Sequence, residues 1–457
     1  MISALSNDGP DYGMSRRDLL LFEAGIIALL GVAGAAAFIQ PLAALFLIGV
    51  AATLFLLQAP LRHAVIVVLC LMMFDLQRQV GGSWLYTDLL FGTLLLPLAR
   101  SRRRPAFWWV FLPYTAYVLI DGFPRALNPA WYFGFAVRSV IAVIVYLACA
   151  LADVEDIYFL ILGIAMIPLT LYGIYQLMIG DMGTFFNWMN PHFSPLPWMG
   201  RAYSLLWQPN FFGGVSSMTL VPLVALAFKN IRPRLNCAFA AVCLIGMLCS
   251  GSRGAIIAAI LGTSFAAWMT GRIKLMIAPF VIALALFAAG SALEIPLVQR
   301  MGQGDELSNH GRWLGNEIGF EKFLENPIIG VGPTNFEAIL PTVREWEYVA
   351  TMPVNNTYLQ HLAELGVLGF AAFWIPLAAL ARAAWKQRED PVVLACLSML
   401  LVFAIHGLFD YMLELGPPYL FLFYSASGVL AGRLAKLSDR VSHDIGSALE
   451  MEAISYA

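Results

Sequence analysis

Residues 353–381 read PVNNTYLQHLAELGVLGFAAFWIPLAALA. From Leu365 onward the segment is almost wholly apolar, and it is long enough to cross a bilayer, for which about 20 apolar residues suffice. Its beginning is different: Asn355, Asn356, Tyr358, His361 and Glu364 fall within ten positions. Polar atoms in hydrocarbon are expensive and usually functional. The stretch predicts a membrane-spanning helix with a polar mouth, and the side that the mouth faces decides what the polarity is for.

The rest of the chain extends the same theme. Of 457 residues, 60% are hydrophobic and only 12% are charged, where a soluble domain carries roughly 25%. Fourteen apolar runs lie between residues 19 and 432, and those near 63–76 and 86–99 are short, so twelve to fourteen spans are expected. No alternating pattern of barrel type recurs. Every backbone amide in lipid must be satisfied, so the expected fold is all-α, a polytopic transmembrane helical bundle. The six cysteines all sit in apolar runs, with no CxxC and no Cys/His cluster. They read as small packing residues, not as a disulfide frame or a metal site. The polar N-terminus and its long first apolar run do not read as a cleavable signal.

Lysine and arginine set the expected orientation. With Arg16 and Arg17 in the cytoplasm and strict alternation, RSRRRP (100–105), KNIRPR (229–234), GRIK (271–274), RAAWKQR (382–388) and the tail from Arg433 all fall inside. The expected organisation is a cytoplasmic N-terminus (1–18), a first bundle (19–293), a large periplasmic loop (294–355), a second bundle (356–432) and a cytoplasmic tail (433–457). A second outer loop spans about 180–208. Within the large loop, HGRWLGNEIGFEKFLENP predicts an amphipathic helix on the bundle surface, ended by Pro327, with Trp313, Leu314, Ile318 and Leu324 at helical spacing.

The remaining charges gather at one face. Arg125, Arg138, Arg201, Arg253, Arg300 and Arg312 all fall outside or in outer helical halves, as do Glu364 and Asp410, with His406 near them. A transporter is expected to place its charges near the midplane, in broken helices. An outer-face concentration points to a site at the lipid–water boundary. Arginine's planar fork suits phosphate oxygens better than lysine's point charge. Each arginine also has a plainer reading: Arg253, in CSGSRGA, as a snorkelling residue beside a hairpin turn; Arg201, in GRAYSLLWQPN, as an interfacial charge; Arg300 and Arg312 as surface charges. Asn355 and Asn356 have one too, as helix N-caps.

Four segments, GRAYSLLWQPNFFGG, SGSRGA, GRWLGNEIGFEKFLENPIIGVGPTNF and NNTYLQHLAELGVLG, resemble the O-antigen ligase and polysaccharide polymerase superfamily of bacterial membrane glycosyltransferases, in sequence, order and placement around a large outer loop. The resemblance covers residues 200–370 well. It implies a metal-independent, cofactor-free inverting glycosyl transfer on the periplasmic face of the inner membrane. The implied donor is an undecaprenyl-diphosphate-linked oligosaccharide, with a glycan acceptor, membrane lipid around the site, no nucleic acid, and a polysaccharide flippase and chain-length regulator as further partners. By resemblance Arg201, Arg253, Arg312 and Asn355 are the candidate catalytic residues, and Asn356, Tyr358, Arg300 and Asn210 the candidate substrate-binding ones.

The chain departs from the ligase pattern at one place. Asn356, Gly366 and Gly369 fit it, but its histidine position holds Asn355. Asparagine cannot titrate as a general base. His361, six positions on, lies about 240° further around a helix. This favours polymerisation of exopolysaccharide or O-antigen repeat units over ligation to lipid A-core or to protein; a lipid-linked glycan transporter is the alternative from another class. Glu364 and Asp410 are the acids to test as base, and the plainer reading, which is preferred for both, is a structural partner for an arginine such as Arg138.

Overall fold

The structure, a computed structural model, describes residues 60–73, 91–101, 105–179, 201–206, 208–278, 306–339, 354–411 and 417–455, with isolated positions between 281 and 292. The expected spans near 19–39 and 41–58, Arg300, most of the 180–208 loop and residues 294–305 and 340–353 of the large loop lie outside the described residues. Among the described residues the regular structure is entirely helical: α1 (Leu61–Met72), α2 (Leu95–Arg100), α3 (Leu112–Arg125), α4 (Pro129–Leu151), α5 (Tyr158–Ile179), α6 (Pro209–Phe228), α7 (Pro233–Ser250), α8 (Arg253–Met269), α9 (Glu306–Glu325), α10 (Asn335–Ile339), α11 (Thr357–Lys386), α12 (Pro391–His406) and α13 (Pro417–Ser455). Six of these are long and apolar enough to cross a membrane, and three more, α1, α8 and α12, are shorter apolar helices. The protein is an all-α polytopic membrane protein.

Local chemistry sets the helix starts. Pro129, Pro209, Pro233 and Pro391 each occupy a first helical position, where the missing N–H costs nothing and φ is already suitable. Asn128 and Asp390 cap α4 and α12 by accepting from Trp131 N–H and from Val392 and Val393 N–H. Helix α6 is the centre of the bundle: it packs on α7, α8 and α12 and is buried on nearly every side. Helix α13 packs on α4, α5 on α7, and α3 on α4 and α11.

Three expected boundaries move. The final helix runs on past the expected end of the apolar span near 432, so the residues of the expected tail are helical as far as Ser455. Helix α12 ends at His406, short of the apolar run's end at 413, so Asp410 lies in the non-helical connection after it. The amphipathic helix is present as α9, packed on α11, but only Leu314 and Ile318 of its expected apolar face turn inward, with Phe336, Val354 and Ala363; Trp313 and Leu324 are exposed.

Ion pairs tie one end of the bundle together. Arg433 Nη2 meets Asp390 Oδ2 at 2.6 Å, Lys436 reaches Asp153 at 2.6 Å and Glu155 at 2.9 Å, Lys229 pairs with Glu389 at 3.0 Å, and Arg62 with Asp156 at 3.0 Å. Segments 60–62, 152–156, 229–234, 386–390 and 433–436 therefore share an end. The candidate site residues gather at the other.

Candidate functional site

The site begins with GRAY. Residues 201–206 run non-helically across the end of α7, with Ala202 N–H donating to the Cys249 carbonyl at 3.0 Å. Buried Gln176 of α5 pins the segment: its Oε1 accepts from Tyr203 and Ser204 N–H at 3.2 and 2.8 Å. The half-buried Arg201 guanidinium donates from Nε to the Ser250 carbonyl at 2.8 Å and from Nη2 to Asn210 Oδ1 at 2.6 Å. Two bonds to two different elements fix both the position and the plane of the fork.

SGSRGA makes the turn beneath it. Helix α7 ends in left-handed Gly251 (φ 59°), and Ser252 caps α8 by accepting from Ala255 N–H at 3.4 Å. The turn is packed tightly: a Cβ placed on Gly213 of α6 would lie 2.6 Å from Ser250 Oγ, and one on Gly254 would lie 2.8 Å from Phe409 Cβ. Arg253, first residue of α8, starts from this packed turn with its side chain exposed.

The connection after α12 closes the cluster. Arg312 of α9 donates from Nη1 to the Phe409 carbonyl at 3.1 Å. Asp410 is buried; it takes a side-chain hydrogen bond from Asn210 and feels the charges of Arg312 and Arg201. Asn210 has one acceptor and one donor group, so it links the two: its oxygen holds Arg201 and its amide holds Asp410. Burial pushes the Asp410 carboxyl up from the ordinary aspartate range, against Arg312, the Tyr411 N–H, Asn210 and Arg201, which all pull it down. His406, buried at the end of α12, meets Tyr419 Oη through Nδ1 at 3.3 Å.

The polar mouth of α11 joins the same connection. Asn356 caps the helix, its Oδ1 accepting from Tyr358 and Leu359 N–H at 3.0 and 3.1 Å. Its amide donates to the Leu408 carbonyl at 3.4 Å. Thr357 donates from N–H to the Gly407 carbonyl at 2.7 Å and from Oγ1 to the Asp410 carbonyl at 2.8 Å. Asn355, just before the cap, is buried at this junction. Tyr358 turns away, stacking on Trp374 at 4.7 Å and donating to the Ala404 carbonyl at 2.7 Å. His361 is also remote, fully buried against Tyr114, Phe373 and Trp374.

Helix α11 breaks one turn and a half further on. Gly366 has φ 61° and ψ −169°, a non-helical geometry inside the helix. The segment NPIIGVG (326–332) lies in the break. Val331 and Gly332 N–H donate to the Ala363 and Glu364 carbonyls, both at 2.8 Å, and Val367 and Leu368 N–H donate to the Pro327 and Ile328 carbonyls at 2.9 and 3.1 Å. Such irregular backbone survives at membrane depth only where protein satisfies it. Arg125 clamps the outer side of the splice, donating to the Ile329 carbonyl at 3.1 Å and to the Gly330 carbonyl. Glu364 serves the splice as well: its Oε1 accepts from Phe336 N–H at 3.2 Å and from Gln360 Nε2 at 2.8 Å.

Of the residues singled out in the sequence, Arg201, Asn210, Arg312, Asn355 and Asn356 thus converge with Asp410 at one end of the bundle, and Arg253 springs from the turn packed against them. Tyr358 points into the helices, and Arg300 lies outside the described residues. Gln176 and Thr357, which position the GRAY segment and the 407–410 connection, carried no sequence signal beyond being polar in apolar surroundings.

Fold and site together define a multi-pass α-helical membrane protein with an arginine–carboxylate cluster at one end of its bundle. The O-antigen ligase family matches residues 238–374, less than a third of the chain, and the match supports the O-antigen ligase and polymerase superfamily and glycosyl transfer of that type on a lipid-linked glycan. It spans the SGSRGA turn, α9, the splice and the first half of α11. No curated protein matches the chain.

Proposed function

We propose that the chain polymerises undecaprenyl-diphosphate-linked repeat units of an exopolysaccharide or O-antigen at the periplasmic face of the bacterial inner membrane. One observation carries this reading: Arg201 and Arg312, held by backbone carbonyls, meet Asn210 and Asp410 at a single end of the bundle. The leaving group is a lipid diphosphate. As its bond to the sugar C1 breaks, charge accumulates on phosphate oxygens, and Arg201, Arg253 and Arg312 would stabilise it. The acceptor hydroxyl attacks C1 from the opposite face, the configuration inverts, and the hydroxyl proton passes to a base. Asn355 cannot take it; the Asp410 carboxylate, which feels both Arg312 and Arg201, is the candidate. Asn355 and Asn356 would then orient sugar hydroxyls. The short basic loops at the opposite end support the periplasmic assignment, and a flippase and a chain-length regulator would act before and alongside this step.

Ligation is the second reading, favoured by the description of the matched family as O-antigen ligase. Carrier-lipid analysis of a deletion strain separates the possibilities. A polymerase mutant accumulates flipped single repeat units on the carrier. Long carrier-linked chains would instead indicate ligation, and units trapped in the cytoplasmic leaflet would indicate transport and end the transferase proposal.

A further inference from the structure

The opposite end carries an arrangement that glycosyl transfer does not use. The ends of α6, α8 and α11 meet there. Trp385 packs against Phe265 at 6.2 Å and Trp268 at 6.4 Å, and both tryptophans remain partly open, 41% and 51% exposed. A cation lies over an aromatic ring on each side: Arg388 over Trp385 at 5.1 Å, and Arg272 over Phe228 at 5.6 Å. After α8, the short turn Ile273–Leu275 presents Lys274 with Ile273 and Ile277 exposed beside it.

The nearby carboxylates are already engaged. Glu389 pairs with Lys229 and Asp390 with Arg433. Among the described residues, Arg272, Lys274 and Arg388 have no carboxylate within ion-pair distance, although Arg388 contributes to the field at Glu389. Arg388 gives one N–H to the Trp385 carbonyl at 3.0 Å, while its shielded Nε–H has no hydrogen-bond acceptor among the described residues. A shielded guanidinium donor without an acceptor is costly. The patch therefore combines unneutralised cations, an unmet donor, indole rings of the kind that sit at headgroup level, and apolar side chains suited to acyl chains.

We propose that this patch binds the anionic headgroup of a phospholipid in the leaflet at the basic end. Phosphate oxygens would accept from Arg388 and Arg272, Lys274 would add charge, and the acyl chains would run along Trp268, Ile273 and Ile277. Compensation of helix dipoles explains basic residues at helix ends in general, but it calls for neither the paired stacking on rings nor the exposed indoles. Basic pockets between membrane helices bind lipid headgroups, and a Lys or Arg near an anionic membrane surface contributes about 1 kcal/mol, or about fivefold in affinity.

The test uses the full chain purified in neutral detergent. Native mass spectrometry counts retained phosphatidylglycerol against phosphatidylcholine, and thermal unfolding is followed with each lipid added. The wild type should retain phosphatidylglycerol selectively and be stabilised by it. Arg272→Gln/Lys274→Gln/Arg388→Gln should lose roughly a hundredfold of that preference, and each single substitution about fivefold, so the single variants decide if the triple variant fails to accumulate. Arg232→Gln/Arg234→Gln/Arg440→Gln, at the same end but with none of the three stacked on a ring, should keep the preference. Equal loss in both triple variants would mean diffuse surface charge and overturn the site. Retained preference in the first, or equal stabilisation by inorganic phosphate, would overturn it as well.

Discussion

Arg201→Lys separates charge from geometry at the candidate site. The guanidinium spans two anchors on different elements, the Ser250 carbonyl at 2.8 Å and Asn210 Oδ1 at 2.6 Å. A lysine ammonium is a point charge that can occupy one of these positions but cannot hold a fork plane between them. A lost hydrogen bond to a charged group costs about 1.5–3 kcal/mol in stability, and water at this half-buried position recovers part of it. The larger effect is on turnover. A donor withdrawn from a developing anion costs about 3 kcal/mol, or roughly a hundredfold in rate. In an assay of polymer formation from purified lipid-linked repeat units, Arg201→Lys and Arg201→Ala should therefore both fall about a hundredfold, with normal protein levels and only a modest drop in Tm. Asn210→Ala leaves the arginine in place but releases its orientation and its link to Asp410, and should fall about tenfold. Arg201→Lys turning over at more than half the wild-type rate would refute the clamp geometry and leave only a requirement for charge.

Four further outcomes follow from the same structure. Arg253→Lys should impair turnover nearly as much as Arg253→Ala; full activity of the alanine variant would assign this exposed arginine to the membrane boundary instead. Gly366→Ala must force a side chain into a backbone region open essentially to glycine, so thermal unfolding should show a loss of about 3 kcal/mol, whereas Gly134→Ala, with nothing within 4 Å of its added Cβ, should be neutral or slightly stabilising; equal Tm values would remove the splice from the account. If Asp410 is the base, activity requires its ionised form, and because burial raises its pKa the acid limb of the rate profile should lie above the range of an exposed aspartate and vanish in Asp410→Asn; an unchanged limb in that variant would exclude it. Cysteine labels at Glu345 should react from outside the inner membrane and labels at Lys386 from the cytoplasm, and the reverse pattern would undo the placement of the site.

Period and charge made the fold legible. The apolar runs gave the helices, but their starts, such as Pro129 after the Asn128 cap, lie outside the apolar run itself and are set by capping and proline geometry. GRAY and SGSRGA, each with one arginine and some 50 residues apart, were grouped by their outer-face placement and their family resemblance, and the structure brings Arg201 against the end of α7 that leads into SGSRGA. The break at Gly366 was not readable. Its sequence, ELGVLGF, continues an apolar helix pattern without interruption, and the reason for the break lies some 35 residues away in NPIIGVG, whose backbone takes over the hydrogen bonds. Asp410 was similarly misplaced within a helix, because HGLFDYML is apolar enough to prolong α12, while the true end at His406 is set by Thr357 drawing on the carbonyls of Gly407 and Asp410.

The polar mouth of α11 can now be apportioned. Asn356 caps the helix and reaches the 407–410 connection, and Thr357 ties to it twice; Gln360 and Glu364 face the other way and hold the splice. The first turns of α11 are thus a short helical block gripped on one side by the loop that presents Asp410 and on the other by the segment that follows α9, the helix carrying Arg312. That grip requires polar residues whatever the chemistry, so most of the mouth's polarity is structural. Asn355 differs in position: it precedes the cap, buried where the block meets the Asp410 connection. A histidine there could titrate, and an asparagine can only donate and accept. Asn355→His therefore tests the division of labour directly. If the block merely orients sugar and Asp410 takes the proton, the histidine variant should keep the wild-type pH profile. If it gains an acid limb near the ordinary histidine pKa, or begins to transfer glycan to a core acceptor, position 355 is a base position that this chain has left empty, and ligation becomes the better reading.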